Sequence, residues 1–179
     1  MGKRSSFERV PRDFYPTPEA ALIPLLPHLQ PHTKFSEPCA GNGALIRHLE
    51  AWGHHCYWRS DIEPQEEVRL GRPCIQKVDA LTLTNPLKWA DCIITNPPWD
   101  RKILHPMIDH FRQMNTVWLL FDADWCHTRQ SATYIKYCSK IVSVGRVKWI
   151  PDSKMTGKDN CAWYRFEPEP QRTVFYGRV

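Results

Sequence analysis

Long apolar runs, linkers and internal repeats are all missing from this sequence of 179 residues. No run approaches the roughly 20 apolar residues that cross a membrane, and no apolar segment follows the charged start at Lys3 and Arg4 as it would in a secretory signal. No stretch rich in glycine or serine divides the chain, and no segment is repeated. We therefore expect one soluble, cytoplasmic domain over residues 1–179 without membrane contact, in which residues 1–30 form an N-terminal arm and helix.

Paired cysteines are missing as well. The seven cysteines occur one at a time, and several stand in apolar runs, where a reduced thiol behaves as a small hydrophobic side chain. No Cys-x-x-Cys pair occurs, and the adjacent His54 and His55 would point to opposite sides of a strand. These patterns predict neither a disulfide framework nor a metal site.

The charge that is present is moderately basic, with a net value of +5. A basic balance suits an anionic partner such as nucleic acid, but an ordinary solvated surface accounts for it equally well. The basic residues cluster near the start of the chain, at Lys3, Arg4, Arg9 and Arg12, and in its last third, at Arg129, Lys136, Lys140, Arg146, Lys148, Lys154 and Lys158.

From residue 34 onward, short β-rich runs alternate with amphipathic helical patterns. Such alternation is typical of parallel strands joined by helical crossovers. The predicted fold class is α/β, with a mostly parallel sheet of seven strands and helices on both of its faces. The predicted strands cover residues 34–39, 55–62, 74–79, 90–96, 117–121, 141–149 and 162–166.

Four segments show helical patterns. Apolar residues recur at helical spacing in residues 43–53, 103–114 and 130–138, and Gly53 marks the end of the first of these helices. Before the first strand, Thr17 is a candidate N-cap and Pro18 a candidate first residue for a helix over residues 20–26. These helices would supply the crossovers.

In a doubly wound sheet, ligands bind beyond the carboxyl ends of the strands, so residues at these ends are the candidate site. Glu37 is followed by a turn with Gly41 and Gly43, where missing side chains let a ligand approach the backbone. Asp61 and Asp79 stand at the ends of the next two strands, where a carboxylate can accept hydrogen bonds from a ribose or an amino group. Each feature alone is also explained by a tight connection, a loop acid or a helix cap.

The fourth predicted strand ends in the tetrapeptide Asn96, Pro97, Pro98 and Trp99. The Asn96 side-chain oxygen and the Pro97 carbonyl can accept the two hydrogens of a planar amino group, whose nitrogen becomes nucleophilic as it moves toward tetrahedral geometry. The prolines stiffen the backbone, and the Trp99 ring can stack on a base rotated out of its duplex. The structural alternative is a stiff turn after a buried strand.

Together, these segments resemble the Rossmann-like S-adenosylmethionine-dependent methyltransferases. The motif order is similar to that of gamma-class adenine methyltransferases, because the Thr-Pro pair at Thr17 and Pro18 precedes the glycine turn. The resemblance implies that Thr17 and Glu37 face the methionine end of the cofactor, S-adenosyl-L-methionine. By the same resemblance, Asp61 faces its ribose and Asp79 its adenine. The implied catalytic residues are Asn96, Pro97, Pro98 and Trp99, and the implied cofactor-binding residues are Tyr15, Thr17, Pro18, Glu37, Pro38, Cys39, Gly41, Asp61, Ile62, Asp79, Ala80 and Asn96.

The resemblance implies methyl transfer to the N6 amino group of adenine in DNA. The family usually reads its target with a separate recognition domain, for which this chain has no room, so we expect short or relaxed specificity, a recognition partner or a homodimer. The compact chain is most similar to small enzymes of bacteriophages and prophages, which work in the bacterial cytoplasm. Such tetrapeptides also serve methylation of adenine or guanine in RNA and of a protein glutamine. The alternative outside enzymes is an idle module that binds cofactor or DNA.

A second aromatic residue, Trp149, follows the basic residues Arg146 and Lys148. We predict that Trp149 contacts the flipped base and that the two basic side chains contact phosphates. A tryptophan in a late strand commonly belongs to the core, so this alternative stays open.

Overall fold

The computed structural model of the protein describes residues 14–65, 74–150 and 156–178. The basic residues Lys3, Arg4, Arg9, Arg12 and Lys154 lie outside these ranges. Within them, no helix has the length and apolar character needed to cross a membrane.

The described residues form one eight-stranded sheet. Its strands are β1 (Lys34–Glu37), β2 (His55–Asp61), β3 (Gln76–Lys77), β4 (Cys92–Thr95), β5 (Val117–Asp122), β6 (Cys138–Arg146), β7 (Asn160–Phe166) and β8 (Val174–Tyr176). They are arranged in the order β3-β2-β1-β4-β5-β7-β6-β8, and among them β7 runs antiparallel to both of its neighbours. The predicted α/β class with a mostly parallel sheet is confirmed. The sheet has eight strands rather than seven, because the short β8 pairs with the edge of β6.

The helices of the described residues are mostly short. They are α1 (Glu19–Leu22), α2 (Ala44–Ala51), α3 (Asn85–Lys88), α4 (Arg101–Met114) and α5 (Ala132–Ile135), with 3₁₀ turns at Leu26–His28, Ala80–Thr82, Ala123–His127 and Arg129–Ser131. The helices α2 and α4 correspond to the predicted helices over residues 43–53 and 103–114.

The sheet is buried on both faces because alternate residues of its central strands point to opposite sides. On one side, Ile94 and Trp118 pack with residues of α1 and α2 such as Leu49. On the other side, Ile93 packs with residues of α4 such as Phe111. The predicted arrangement of helices on both faces is confirmed. The two cores fix the positions of the carboxyl ends of the central strands relative to one another.

Two sequence-based predictions near the later strands are wrong. Cys138 was expected to end a helix, but it starts β6 and pairs with Phe166, so only α5 and the preceding 3₁₀ turn are helical in the predicted segment. The strand β6 ends at Arg146, where residues 141–149 were predicted. Trp149 therefore lies in the loop after the strand. A register shift at Gly145, whose φ is +85°, precedes this end of the strand.

The predicted N-cap and extent of the first helix are also wrong. The N-cap position is taken by Pro18, without a side-chain capping bond, and the helix ends at Leu22 rather than continuing to residue 26. Pro24 explains the early end, because it lacks the N–H that would continue the helical hydrogen bonds. The Thr17 hydroxyl accepts a hydrogen bond from Asn96 Nδ2 instead of capping the helix.

Candidate active site

A cleft of about 1030 Å³ lies beyond the carboxyl ends of β1, β2 and β4. The loops after neighbouring parallel strands converge at this edge, which is where ligands bind in such sheets. Most of the cofactor-binding residues predicted from the sequence line the cleft: Tyr15, Thr17, Glu37, Pro38, Cys39, Gly41, Asp61, Ile62, Asp79, Ala80 and Asn96, together with Pro98 of the tetrapeptide. The cleft is therefore the candidate cofactor site.

The turn after β1 requires glycine for two reasons. Gly41 has φ +53°, a left-handed conformation that residues with side chains rarely adopt. A Cβ atom at this position would also lie only 2.7 Å from Cε2 of Phe14. The Gly41 N–H donates to Asp61 Oδ2 over 2.8 Å, which ties the turn to the end of β2. The missing side chain thus lets the Phe14 ring pack directly on the backbone of the turn at the wall of the cleft.

Glu37 is the most deeply buried carboxyl group of the cleft. It is 2% exposed, and its Oε2 atom has no hydrogen-bond partner among the described residues. Burial, and to a lesser degree the negative charge of Asp61, raises the pKa of Glu37 well above its ordinary value of 4.5. A buried carboxyl oxygen without a partner is costly, so a ligand that brings a donor or a positive charge would relieve that cost.

Two further carboxylates line the cleft and are held by nearby backbone. The Asp61 Oδ1 atom accepts from the N–H of Glu63 over 2.8 Å, and Oδ2 accepts from Gly41. The Asp79 Oδ1 atom accepts from the N–H of Leu81 over 3.0 Å and caps the 3₁₀ turn Ala80–Thr82. Because each carboxylate oxygen can accept more than one hydrogen bond, both groups keep the capacity to bind hydroxyl or amino donors of a ligand.

The Cys39 thiol also lines the cleft, but it is not an activated nucleophile. Burial, followed by the negative charge of Asp61, raises the pKa of Cys39 above its ordinary value of 9.0. Reactive cysteines have lowered pKa values and a positive environment. Cys39 therefore stays a neutral thiol that shapes the wall. Within the described part of the chain, no group of His, Cys, Asp and Glu side chains could hold a metal ion.

The side chain of Asn96 lies between two other side chains at the end of β4. Its Nδ2 atom donates to Thr17 Oγ1 over 3.2 Å, and its Oδ1 atom accepts from Trp99 Nε1, also over 3.2 Å. Pro97 is buried, and Asp100 caps α4 by accepting from the N–H of Lys102. The tetrapeptide therefore runs directly from a buried strand into the first turn of a helix, which leaves its backbone little freedom.

Three aromatic side chains, Tyr15, Trp99 and Trp149, form what we call the aromatic cluster. The rings of Trp99 and Trp149 meet edge to face with centroids 5.8 Å apart, and the Tyr15 ring lies 6.4 Å from Trp149. Gly157 packs against Trp149 so closely that a Cβ atom on Gly157 would lie 3.1 Å from the indole. Trp149 also contacts the edge of the core beneath α1 and α2, which agrees with the structural alternative for this residue.

Several residues predicted for the site do not line the cleft. Pro18 is the N-cap residue of α1, Pro97 is buried, and Trp99 and Trp149 pack against each other. Arg146 and Lys148 are exposed on the segment that leads to Trp149.

Apolar lining residues were missed from the sequence. Phe14 covers Gly41, and Ile103 and Met107 contribute one face of α4 to the cleft. The helical spacing of Ile103 and Met107 predicts only a buried face, and it does not distinguish a core from a ligand. Ile103 and Met107 lie in the first two turns of the helix that follows the tetrapeptide. This position could have predicted that they line the cleft, because a helix that begins at the carboxyl end of a strand begins beside the ligand site.

No family model and no curated protein matches the sequence. Solved structures match the fold. A methyltransferase subunit of a type I restriction-modification system from Streptococcus thermophilus has a TM-score of 0.59 and 11% identity, over 91% of this chain and 47% of that one. A protein of Listeria monocytogenes provisionally named a class I S-adenosylmethionine-dependent methyltransferase has a TM-score of 0.57 and 12% identity, over 88% and 62%. A protein of Pyrococcus horikoshii provisionally named an RNA methyltransferase has a TM-score of 0.54 and 16% identity, over 87% and 86%.

At identities this low, the likeness concerns the fold. The chain has the Rossmann-like fold of class I methyltransferases, as the sequence predicted. It spans about half of the restriction-modification subunit and most of the Pyrococcus protein.

Proposed function

We propose that the protein transfers the methyl group of S-adenosylmethionine to the N6 amino group of adenine in DNA, with short or relaxed sequence specificity. The observation that carries the proposal is the position of Asn96, whose side chain lies on the wall of the cleft with its oxygen 3.2 Å from the indole nitrogen of Trp99. An acceptor for amino hydrogens and an aromatic face for a base are thus adjacent to the candidate cofactor site.

The residues of the cleft fit S-adenosylmethionine as the cofactor. The buried, unpartnered oxygen of Glu37 suits the ammonium group at the methionine end. Asp61 and Asp79 have the acceptor capacity for ribose hydroxyls and for an adenine amino group. When bound, the cofactor supplies a methyl group on a positively charged sulfur, which an uncharged nitrogen can attack.

The tetrapeptide fits the activation of that nitrogen. The Asn96 oxygen and the Pro97 carbonyl accept the amino hydrogens, which favours tetrahedral nitrogen and makes its lone pair available. Asn96 and Pro97 would hold the amino nitrogen toward the methyl group that the cofactor would supply, and the surplus proton of the amine would pass to water. Positioning of the two reactants supplies most of the acceleration, so no strong general base is required.

The aromatic cluster favours a nucleobase over a glutamine side chain as the acceptor. Trp99 and Trp149 offer ring faces for stacking, whereas a glutamine amide has no ring to stack on. The exposed Arg146 and Lys148, on the segment that leads to Trp149, are available for phosphates of a strand whose base enters the site.

RNA is the second candidate acceptor. The Pyrococcus protein, whose name refers to RNA, matches this chain over most of both lengths, whereas the restriction-modification subunit is about twice as long as the match. We retain DNA as the first proposal because the motif order resembles that of adenine methyltransferases of DNA.

The test is a comparison of acceptors. Purified protein from a host without adenine methyltransferases is incubated with methyl-labelled cofactor and, in parallel, with duplex DNA, single-stranded DNA, RNA and a release factor. The products are digested and identified by mass spectrometry. We expect N6-methyladenine in DNA. Label found only in RNA or only in protein would show that the acceptor is wrong, and cofactor binding without any transfer would show that the protein is not an enzyme.

The control is a pair of matched variants of the same preparation. Asn96→Ala removes the proposed acceptor for the amino hydrogens, and we expect the rate of methyl transfer to fall by roughly 100-fold or more while the Kd for the cofactor stays within about threefold of wild type. Asn85→Ala changes an exposed asparagine at the start of α3 and should leave both quantities unchanged. Equal activity of the two variants would mean that the label came from a contaminant or that Asn96 has no catalytic role.

A further inference from the structure

The side-chain amide of Asn96 has a defined orientation, which follows from the chemistry of its two partners. The indole N–H of Trp99 can only donate, so the end of the amide that faces it must be the oxygen. The opposite end, Nδ2, then donates to the Thr17 hydroxyl. Reversal of the amide would place one donor against another at Trp99 and would lose that hydrogen bond.

Without such partners, the orientation of an asparagine amide is poorly determined. Rotation about its terminal bond is broad and roughly two-fold, so oxygen and nitrogen exchange places at little cost. An amide nitrogen in the place of the oxygen would offer a donor to an amino group that itself needs acceptors. Activation of the amine therefore depends on hydrogen-bond partners that hold the Asn96 oxygen in place.

The two partners are well suited to hold it. Thr17 is 5% exposed, so water has little access to replace its hydrogen bond to Asn96. Trp99 follows Asn96 by three residues and is held by its edge contact with Trp149. One partner comes from the segment before α1 and the other from the tetrapeptide itself, and each binds a different end of the amide.

We infer that Thr17 and Trp99 are positioning residues that together hold the Asn96 oxygen in the orientation that accepts the hydrogens of the target amino group. This inference rests on the proposed function and adds a role to each residue. Thr17 lines the cofactor cleft and also orients the Asn96 amide. Trp99 offers its ring for stacking and also orients the Asn96 amide through its indole N–H. Phenylalanine or tyrosine in the place of Trp99 would keep the ring for stacking and lose the N–H, so the two roles of Trp99 can be separated.

The first arm of the test measures single-turnover methyl transfer to duplex DNA at saturating cofactor and DNA. We expect Thr17→Val and Trp99→Phe each to lower this rate by roughly tenfold, since each removes one hydrogen bond from the amide. We expect Thr17→Ser, which keeps a hydroxyl, to restore most of the rate. Unchanged rates at saturation in both Thr17→Val and Trp99→Phe would overturn the inference. Matched controls are Thr84→Val and Trp89→Phe, which change exposed residues outside the cleft.

The second arm needs no activity and separates the inference from the proposed function. In protein with ¹⁵N-labelled tryptophan, the Trp99 indole resonance is identified by its loss in Trp99→Phe. Asn96→Ala should move this resonance, because the indole loses its acceptor. Thr17→Val should move it as well, because the amide is no longer held. A Trp99 resonance that stays in place in Thr17→Val would overturn the inference even if wild-type protein methylates DNA. Movement in both variants would support the positioning role even if the acceptor proves to be RNA.

Discussion

The two halves of the candidate site are built in different ways. In the cofactor half, the carboxylates of Asp61 and Asp79 are bonded by backbone N–H groups two residues further along the chain. In the acceptor half, Asn96 is bonded to Thr17, 79 residues away, and the aromatic cluster joins Tyr15, Trp99 and Trp149. The carboxylates of the cofactor half are thus oriented mainly by local turns, to which the hydrogen bond from Gly41 to Asp61 adds a contact between two strand ends, whereas the acceptor half exists only when three distant segments have come together.

This difference predicts different consequences of substitution. Changes in the cofactor half should alter cofactor affinity and leave the acceptor step intact once cofactor is saturating. Changes at Trp99 and Trp149, which do not line the cleft, should alter turnover or the KM for nucleic acid and leave cofactor affinity intact. A substitution in one half that changes the quantity assigned to the other half would show that the two halves are energetically coupled.

Among the substitutions that compare the two halves, Gly41→Ala is expected to have the largest effect on cofactor affinity. The new Cβ would lie 2.7 Å from Phe14 at a residue with φ +53°, so the turn and the Phe14 ring must both move. We expect the cofactor Kd, measured by titration calorimetry, to rise by more than about tenfold and the free energy of unfolding in urea to fall by about 1–2 kcal/mol.

Gly53→Ala is the matched control for this prediction. Gly53 has φ +85°, but a Cβ atom there would lie 4.0 Å from the nearest atom of the described residues, His32 Nδ1, and Gly53 does not line the cleft. It should lose stability to a similar extent without a change in cofactor affinity. A cofactor Kd that is unchanged in Gly41→Ala would contradict the assignment of the cleft.

Glu37→Gln should have an intermediate effect: it should weaken cofactor binding and, at higher pH, stabilise the cofactor-free protein. We expect the cofactor Kd to rise by roughly tenfold, because the amide carries no charge to pair with an ammonium group. Since the pKa of Glu37 is raised in the folded protein, the unfolded chain ionises first as the pH rises above 4.5. Stability of the cofactor-free protein is therefore lost as the pH rises toward the raised pKa, and Glu37→Gln should remove this loss.

Urea unfolding of both proteins at pH 4.5 and pH 8 measures this difference. The variant should gain stability relative to wild type at the higher pH. Glu169→Gln, at an exposed position, should follow wild type in both binding and stability. If Glu37→Gln were less stable than wild type at pH 8, a donor or a positive charge in the folded protein would have to stabilise the ionised Glu37 carboxylate, and the prediction would be wrong.

The smallest effect is expected from Gly157→Ala in the acceptor half. A Cβ on Gly157 would lie 2.9 Å from the Val147 carbonyl oxygen and 3.1 Å from the Trp149 ring, so the indole must shift. Partial loss of base stacking should raise the KM for DNA by about threefold, with the cofactor Kd unchanged. In Gly177→Ala, where the nearest atom is 4.0 Å away, steady-state assays should show no change. If Gly157→Ala changed the cofactor affinity and left the KM for DNA unchanged, the assignment of Trp149 to the acceptor half would be wrong.

The fold was predictable where the chain pattern is strong. The apolar run at Ile93 and Ile94 predicts a strand buried on both faces, and both residues are fully buried in β4. The strand β8 was not predicted, because it has three exposed residues and forms by pairing with β6. The helical pattern predicts a helix that includes Cys138, because local periodicity carries no information about the pairing of Cys138 with Phe166 in the distant strand β7.

The chemical groups at the carboxyl ends of the strands are predictable from the amino-acid sequence, because an acid, a glycine turn or the tetrapeptide directly follows its strand in the chain. The burial of these groups and their hydrogen-bond partners, in contrast, depend on how the chain folds. The burial of Glu37, the contact of Phe14 with Gly41 and the orientation of the Asn96 amide depend on residues far away in the chain. Burial and hydrogen bonding are properties of neighbours in space, and helix or strand periodicity carries no information about neighbours that the fold alone brings together.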